Sequence, residues 1–136
     1  SKNSNSCIDT EIKPLAGSKS ADQSNLPDLK VIYFKIDSAA IPAEYVPGLH
    51  SLVEFMRLNP EYRIVISGYS DPAGSTRFNE KLSMKRAKSV AEFIKALEIP
   101  DERMSVTWFG EKKSVSWKRG SRYYNLDRKV ELKFEK

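Results

Sequence analysis

With 136 residues, 40% of them hydrophobic, the chain is long enough for one domain with a real core, and it is not globally disordered. Its net charge is +5, and residues 101–136 hold ten Lys/Arg against six Asp/Glu; because the two signs interleave, this reads as a solvated surface before it reads as a polyanion-binding stripe. A single cysteine, Cys7, and a single histidine, His50, exclude an internal disulfide and a Cys- or His-built metal site, so neither a metal nor any other cofactor is expected.

Residues 1–28 read as a flexible tail or linker: they are rich in Ser, Asn, Lys and Asp, and Pro14, Gly17 and Pro27 break any periodicity. Ser4-Asn5-Ser6 before Cys7 is a poor match to a lipoprotein cleavage site, so an exposed thiol is the plainer reading. No signal-peptide pattern opens the chain, and apolar runs as short as Ile64-Val65-Ile66 fall far below the ~20 residues that span a bilayer.

From Leu29 the pattern becomes β-branched and aromatic, and Val31 to Ile36 predicts a strand buried on both faces. After Pro42 and Pro47-Gly48, the spacing of Leu49, Leu52, Val53 and Met56 predicts a helix that Asn59-Pro60 stops. His50 falls in this helix with no oxyanion-type glycine loop beside it, which argues against a Ser-His-Asp triad. Tyr62 to Tyr69 reads as an interior strand, and a second helix follows from about Arg77 to Leu97, with Leu82, Val90, Phe93, Ile94 and Leu97 on its core stripe. Met104, Val106 and Trp108 mark a third strand, and 110–125 looks like a long loop. Val130, Leu132 and Phe134 alternate with charges in a last, half-exposed strand expected to be antiparallel and at or near an edge. The fold class is therefore α+β: a β-α-β-α-β-β sandwich over residues 29–136, with the helices packed on one face of a small mixed sheet.

The stretch Gly68 to Ala87 holds the candidate site. Asp71-Pro72-Ala73-Gly74 has the composition of a type I turn, which by itself needs no ligand. The helix after it adds more. Asn79, Ser83 and Arg86 lie at i, i+4 and i+7, so they share a face, whereas Glu80, Lys81, Lys85 and Lys88 occupy the rest of the surface. An acid, an amide and a guanidinium able to converge suit a zwitterionic ligand carrying an ammonium and a carboxylate.

The same stretch resembles the OmpA-like C-terminal domain, the peptidoglycan-associating module of outer-membrane proteins, Pal-type lipoproteins and flagellar stator proteins. The family pattern G-[HY]-[TS]-D-x-x-G-x-x-x-x-N-x-x-L-S-x-x-R-A-x-x-V is matched without a gap by Gly68, Tyr69, Ser70, Asp71, Gly74, Asn79, Leu82, Ser83, Arg86, Ala87 and Val90. Flanking matches are Asp37-Ser38, Phe109-Gly110-Glu111 and Asp127-Arg128-Lys129-Val130-Glu131. Departures are Asp127 and Lys129 in the usual Asn-Arg-Arg-Val, the missing proline after Gly110-Glu111, and Tyr69 in place of a frequent histidine.

The resemblance implies non-covalent binding of peptidoglycan through the diaminopimelate of its stem peptide, anchoring an envelope protein to the cell wall. Arg86 would fork onto the ligand carboxylate and Asp71 would accept from its ammonium. Asn79, Ser70, Asp37 and Arg128 would be further contacts or supports. The implied setting is the periplasm and cell envelope, with a membrane reached only through a segment or anchor absent from this chain, and with room for a homodimer. An enzyme is not expected: a glycosidase needs two carboxylates flanking the bond, and an Asp71 beside Arg86 would be held ionised instead of poised for proton transfer. The rival reading is a nucleic-acid or anionic-polymer module using the basic and aromatic loop 117–124, Trp117-Lys118-Arg119-Gly120-Ser121-Arg122-Tyr123-Tyr124. It lacks any accompanying RNA-binding signature, so no nucleic acid is expected.

Overall fold

The computed structural model describes residues 26–114, 116 and 120–136. Residues 1–25 of the expected tail, with Cys7, and Trp117-Lys118-Arg119 of the basic loop lie outside the described residues. The elements follow in the order β1 (Val31–Tyr33), α1 (Val46–Leu58), β2 (Arg63–Gly68), α2 (Thr76–Ala96), β3 (Met104–Trp108) and β4 (Lys129–Glu135). Short 3-10 turns precede α1, β3 and β4. The sheet order is β1-β4-β2-β3: β4 runs antiparallel to both β1 and β2, and β3 runs parallel to β2 across the α2 crossover.

Both helices lie on one face of this sheet. The predicted α1 stripe of Leu49, Leu52, Val53 and Met56 is buried, and it meets Ile32, Ile64, Ile66, Val130 and Leu132 from the strands and Ala87, Val90 and Ile94 from α2. The helix ends obey local rules. Pro47 sits in the first turn of α1, where a missing N–H costs nothing, and the Asn59 side chain donates to the Phe55 carbonyl at its end. Ser75 caps α2, its hydroxyl accepting from Phe78 N at 3.1 Å. Arg103 closes the base of α1 by donating to the carbonyls of Met56, Asn59 and Tyr62.

Two expectations change, for β1 and for the 110–125 region. β1 is buried on one face only: Ile32 and Phe34 are inside, but Tyr33 is 42% and Ile36 66% exposed. It is an edge strand, and among the described residues the helices cover a single face. β4 is antiparallel and near an edge, as its alternation suggested, lying one strand in, between β1 and β2. Its charged residues alternate because the second face of the sheet is polar; there Arg63 reaches Ser105 and Glu135, and Ser67 pairs with Thr107. The 110–125 region is not all loop. Ser121–Asp127 forms a 3-10 helix, and the buried Asp127 carboxylate accepts from the hydroxyls of Ser114 and Ser116.

Candidate functional site

β2 ends at Gly68, where it nearly touches α2: a Cβ at this position would come within 2.1 Å of the Ser83 carbonyl oxygen. This close approach sets Ser70 and Asp71 directly over the helix. The chain then turns on the Asp71 side chain. Oδ1 accepts from Ala73 N at 2.9 Å, and Gly74 takes φ +83°. The Asp71-Gly74 turn is thus closed by a side-chain Asx contact in place of the backbone bond of a type I turn.

The face of α2 bearing Asn79, Ser83 and Arg86 is buried at all three positions. Ser83 ties the loop after β3 to the helix, because its hydroxyl accepts from Gly110 N at 2.9 Å and donates to the Glu80 carbonyl. Asn79 Nδ2 donates to Glu111 Oε1 at 2.7 Å. Glu111 is a site residue that the sequence reasoning missed, although its Phe-Gly-Glu context is a signal that could have found it.

Arg86 is 0% exposed. Its Nε donates to the Ser38 carbonyl at 2.8 Å, Nη1 to the Tyr69 carbonyl at 3.1 Å and Nη2 to the Lys35 carbonyl at 3.1 Å. Its guanidinium also lies 5.5 Å from the Phe34 ring centre. One cation thereby clamps the loop after β1 and the end of β2 onto α2. Burial pulls its pKa down to about 10; Asp71 and Asp37 oppose this and Arg128 reinforces it. The group remains charged at neutral pH. The direct ionic partner of Asp71 is not Arg86, as the sequence suggested, but Arg128, whose Nη1 donates to Oδ2 at 3.1 Å with the two side chains only 19% and 10% exposed. Arg128 arrives at this point because β4 is interior and its first residue pairs beside the end of β2: Tyr69 N donates to the Lys129 carbonyl and Phe34 N to the Arg128 carbonyl.

The predicted residues therefore converge in layers. Arg86 forms the floor, Asp71 and Arg128 the pair above it, and Asp37 an exposed acid on the adjoining loop with φ +54°. Two buried polar atoms in this cluster, Ser70 Oγ and Arg128 Nε, have no hydrogen-bond partner among the described residues. Asn79 stands to one side, occupied by Glu111. Among the described residues no group of His, Cys, Asp and Glu could hold a metal ion, and His50 is exposed on α1 with its ring edge-on to Phe93.

Behind the site, Tyr69 points to the open face of the sheet. Its hydroxyl donates to Glu131 at 2.9 Å, and its ring leans on Phe109 with Lys129 above it. Burial, reinforced by Glu131, pushes the Tyr69 hydroxyl up to about 12. Burial works to raise Glu131 as well, but hydrogen bonds with Lys129 and Tyr69 outweigh it and hold the carboxyl below its usual value.

The OmpA family model matches residues 33–124, which includes the whole of the Gly68 to Val90 stretch. The chain belongs to the OmpA family. The OmpA-like domain is 24% identical over 109 residues to the peptidoglycan-associated lipoprotein of Legionella pneumophila, covering 80% of this chain and 62% of that protein. It is 34% identical over 88 residues to outer membrane protein 41 of Porphyromonas gingivalis, covering 64% of this chain and 22% of that one. The chain thus spans less than two thirds of the length of either relative. Its fold superposes on the peptidoglycan-associated lipoprotein of Burkholderia pseudomallei with a TM-score of 0.77 at 24% identity, covering 84% of this chain and 98% of that one. It also superposes on the C-terminal domain of Helicobacter pylori MotB with a TM-score of 0.69 at 15% identity, covering 79% and 85%. Among the described residues of the OmpA-like domain, no helix is long and apolar enough to cross a membrane.

Proposed function

We propose that this OmpA-like domain binds peptidoglycan non-covalently by the free amino-acid end of a diaminopimelate residue, and so tethers an envelope protein to the cell wall in the periplasm. The observation that carries the reading is the convergence of opposite charges: the Asp71–Arg128 pair, with side chains 10% and 19% exposed, lies over Arg86 and beside the exposed Asp37. A ligand bearing an ammonium and a carboxylate on one carbon would satisfy both signs. The ammonium goes to Asp71, whose oxygens retain free lone pairs, and to the exposed Asp37. The carboxylate goes to the part of the Arg128 guanidinium that stays open, beside Ser70, with Arg86 adding positive charge from beneath. Asn79 acts through Glu111, holding the rim. Similarity to proteins named peptidoglycan-associated lipoproteins supports the same partner.

This is binding, not catalysis. Asp71 is committed to Arg128 and to a backbone N–H, which suits a fixed acceptor and not a group that passes protons. Each charge-assisted hydrogen bond contributes about 1.5–3 kcal/mol net against an association cost of ~4 kcal/mol or more, so a micromolar to millimolar dissociation constant is expected for one site. A tethered domain facing a lattice of repeated ligands still anchors well at that affinity.

The test is an NMR titration with meso-diaminopimelate, with Nα-acetyl-lysine amide as a control because it offers an ammonium with no carboxylate on the same carbon. Saturable shifts around Ser70, Asp71 and Arg128, weaker with the blocked lysine and absent in Asp71→Asn, are the expected result. An Asp71→Asn domain that still sediments with purified cell wall like the wild type would overturn the reading.

A further inference from the structure

Beside the Asp71 cluster, a cleft of about 290 Å³ opens between the loop after β1 and the N-terminal half of α2. Asp37 and Ala39 form one wall, and Phe78, Lys81, Leu82 and Lys85 the other. The helical period builds the second wall. Phe78 and Leu82 stand at i and i+4 as an apolar strip, and Lys81 and Lys85 stand at i and i+4 beside it. Phe78 is 47% exposed, the most open aromatic on this helix. Neither lysine has an ion-pair partner among the described residues, whereas Lys95 on the same helix pairs with Asp101 at 3.0 Å. Two cations one turn apart repel each other, and an anion between them would relieve that. The cleft adjoins the proposed diaminopimelate site directly, because Ser38, next to Asp37, is the residue whose carbonyl Arg86 holds.

We propose that this cleft is a second subsite, taking a carboxylate of the stem peptide that lies outside the diaminopimelate end. Lys81 and Lys85 hold the carboxylate, and Phe78 and Leu82 cover the aliphatic carbons next to it. Asp37 on the opposite wall disfavours a densely charged phosphate chain and favours a single carboxylate. The proposal rests on the peptidoglycan reading above and adds which part of the ligand raises affinity. Two residues of the peptide offer this chemistry: the glutamyl residue before the diaminopimelate, through its α-carboxylate, and a terminal alanine after it, through its chain end.

The experiment measures dissociation constants for wild type, Lys81→Ala/Lys85→Ala and Asp71→Asn with four probes. They are meso-diaminopimelate, the tripeptide alanyl-γ-glutamyl-diaminopimelate, the same tripeptide with its glutamyl carboxylate amidated, and the tetrapeptide ending in alanine. Wild type is expected to bind the tripeptide or the tetrapeptide about five-fold more tightly than free meso-diaminopimelate, the scale of exposed charge pairs. That advantage should vanish in the double lysine variant and fade at about 0.5 M salt, with binding of free meso-diaminopimelate unchanged. Loss on amidation assigns the glutamyl carboxylate, and a gain confined to the tetrapeptide assigns the terminal alanine. A double variant that keeps the full advantage, or a wild type with none, overturns the subsite and leaves the Asp71 site standing. Normal binding of every probe by Asp71→Asn would overturn the site itself.

Discussion

Arg86 donates to the carbonyls of Lys35, Ser38 and Tyr69 with no surface left to solvent. A lysine there concentrates its donors on one nitrogen and cannot span three acceptors held by two different loops. Arg86→Lys is therefore expected to leave at least one buried carbonyl unsatisfied and to lose about 2 kcal/mol or more of stability, read as a lower urea midpoint. Lost binding in that variant would reflect a loosened site as well as a lost contact, which makes Asp71→Asn the cleaner probe of recognition. Tyr69 yields a separate expectation. Its pKa is about 12 in the folded chain against ~10 in the unfolded one, so the folded state holds the proton longer. Its stabilising contribution is complete below pH 10 and is lost as pH rises through 12. Thermal melts between pH 9 and 11.5 should show an alkaline loss that Tyr69→Phe removes. Persistence of the same loss in Tyr69→Phe would assign it to another group.

Among the elements, the site depends on how closely β2 and α2 approach. Gly68 sits under the Ser83 carbonyl at a distance no side chain tolerates. Gly68→Ala must push strand and helix apart or distort both, at a cost of about 1–3 kcal/mol. The displacement should carry Ser70 and Asp71 away from Arg128, so chemical shifts at Arg128 should move even though it is distant in sequence. Unchanged shifts there would mean that the turn, not the strand–helix spacing, places the acid. Gly110 and Ser83 make the same junction from the other side, with Gly110 in the left-handed region at φ +58°. These contacts hold three successive segments, 68–71, 79–86 and 109–111, as one unit.

Across the molecule, the sheet and two helices share a single core, so damage far from the site should cost stability without altering recognition. Leu52 on α1 is 0% exposed, and Leu52→Ala is expected to cost about 2–5 kcal/mol. Below its lowered melting temperature, this variant should bind meso-diaminopimelate as the wild type does; a large loss of affinity in the folded state would couple α1 to the site. Helix positions, strand order in the chain and the core stripe were legible in the sequence, since Leu49, Leu52, Val53 and Met56, or Val90 and Ile94, follow the helical period whatever they pack against. Gly68, Asp71, Asn79 and Arg86 were legible too, because they lie within one short run on a turn and the helix after it.

The partner of Asp71 was not legible. Arg128 lies 57 positions away, and only the insertion of β4 between β1 and β2 brings it to the acid. Alternation in β4 records that one face is polar; it carries no information on which strands flank it, so an interior strand and an edge strand look alike. Likewise the sequence shows an arginine on one helix face, but whether that arginine is an open fork or a buried clamp depends on carbonyls that Lys35, Ser38 and Tyr69 present only after the loops close. Local periodicity and turn chemistry were enough to define the elements, their amphipathic faces and the run of residues that carries the family pattern. The Asp71–Arg128 pair, the burial of Arg86 and the cleft beside Asp37 exist only once the chain has folded, because each is made of groups distant in the sequence and adjacent only in space.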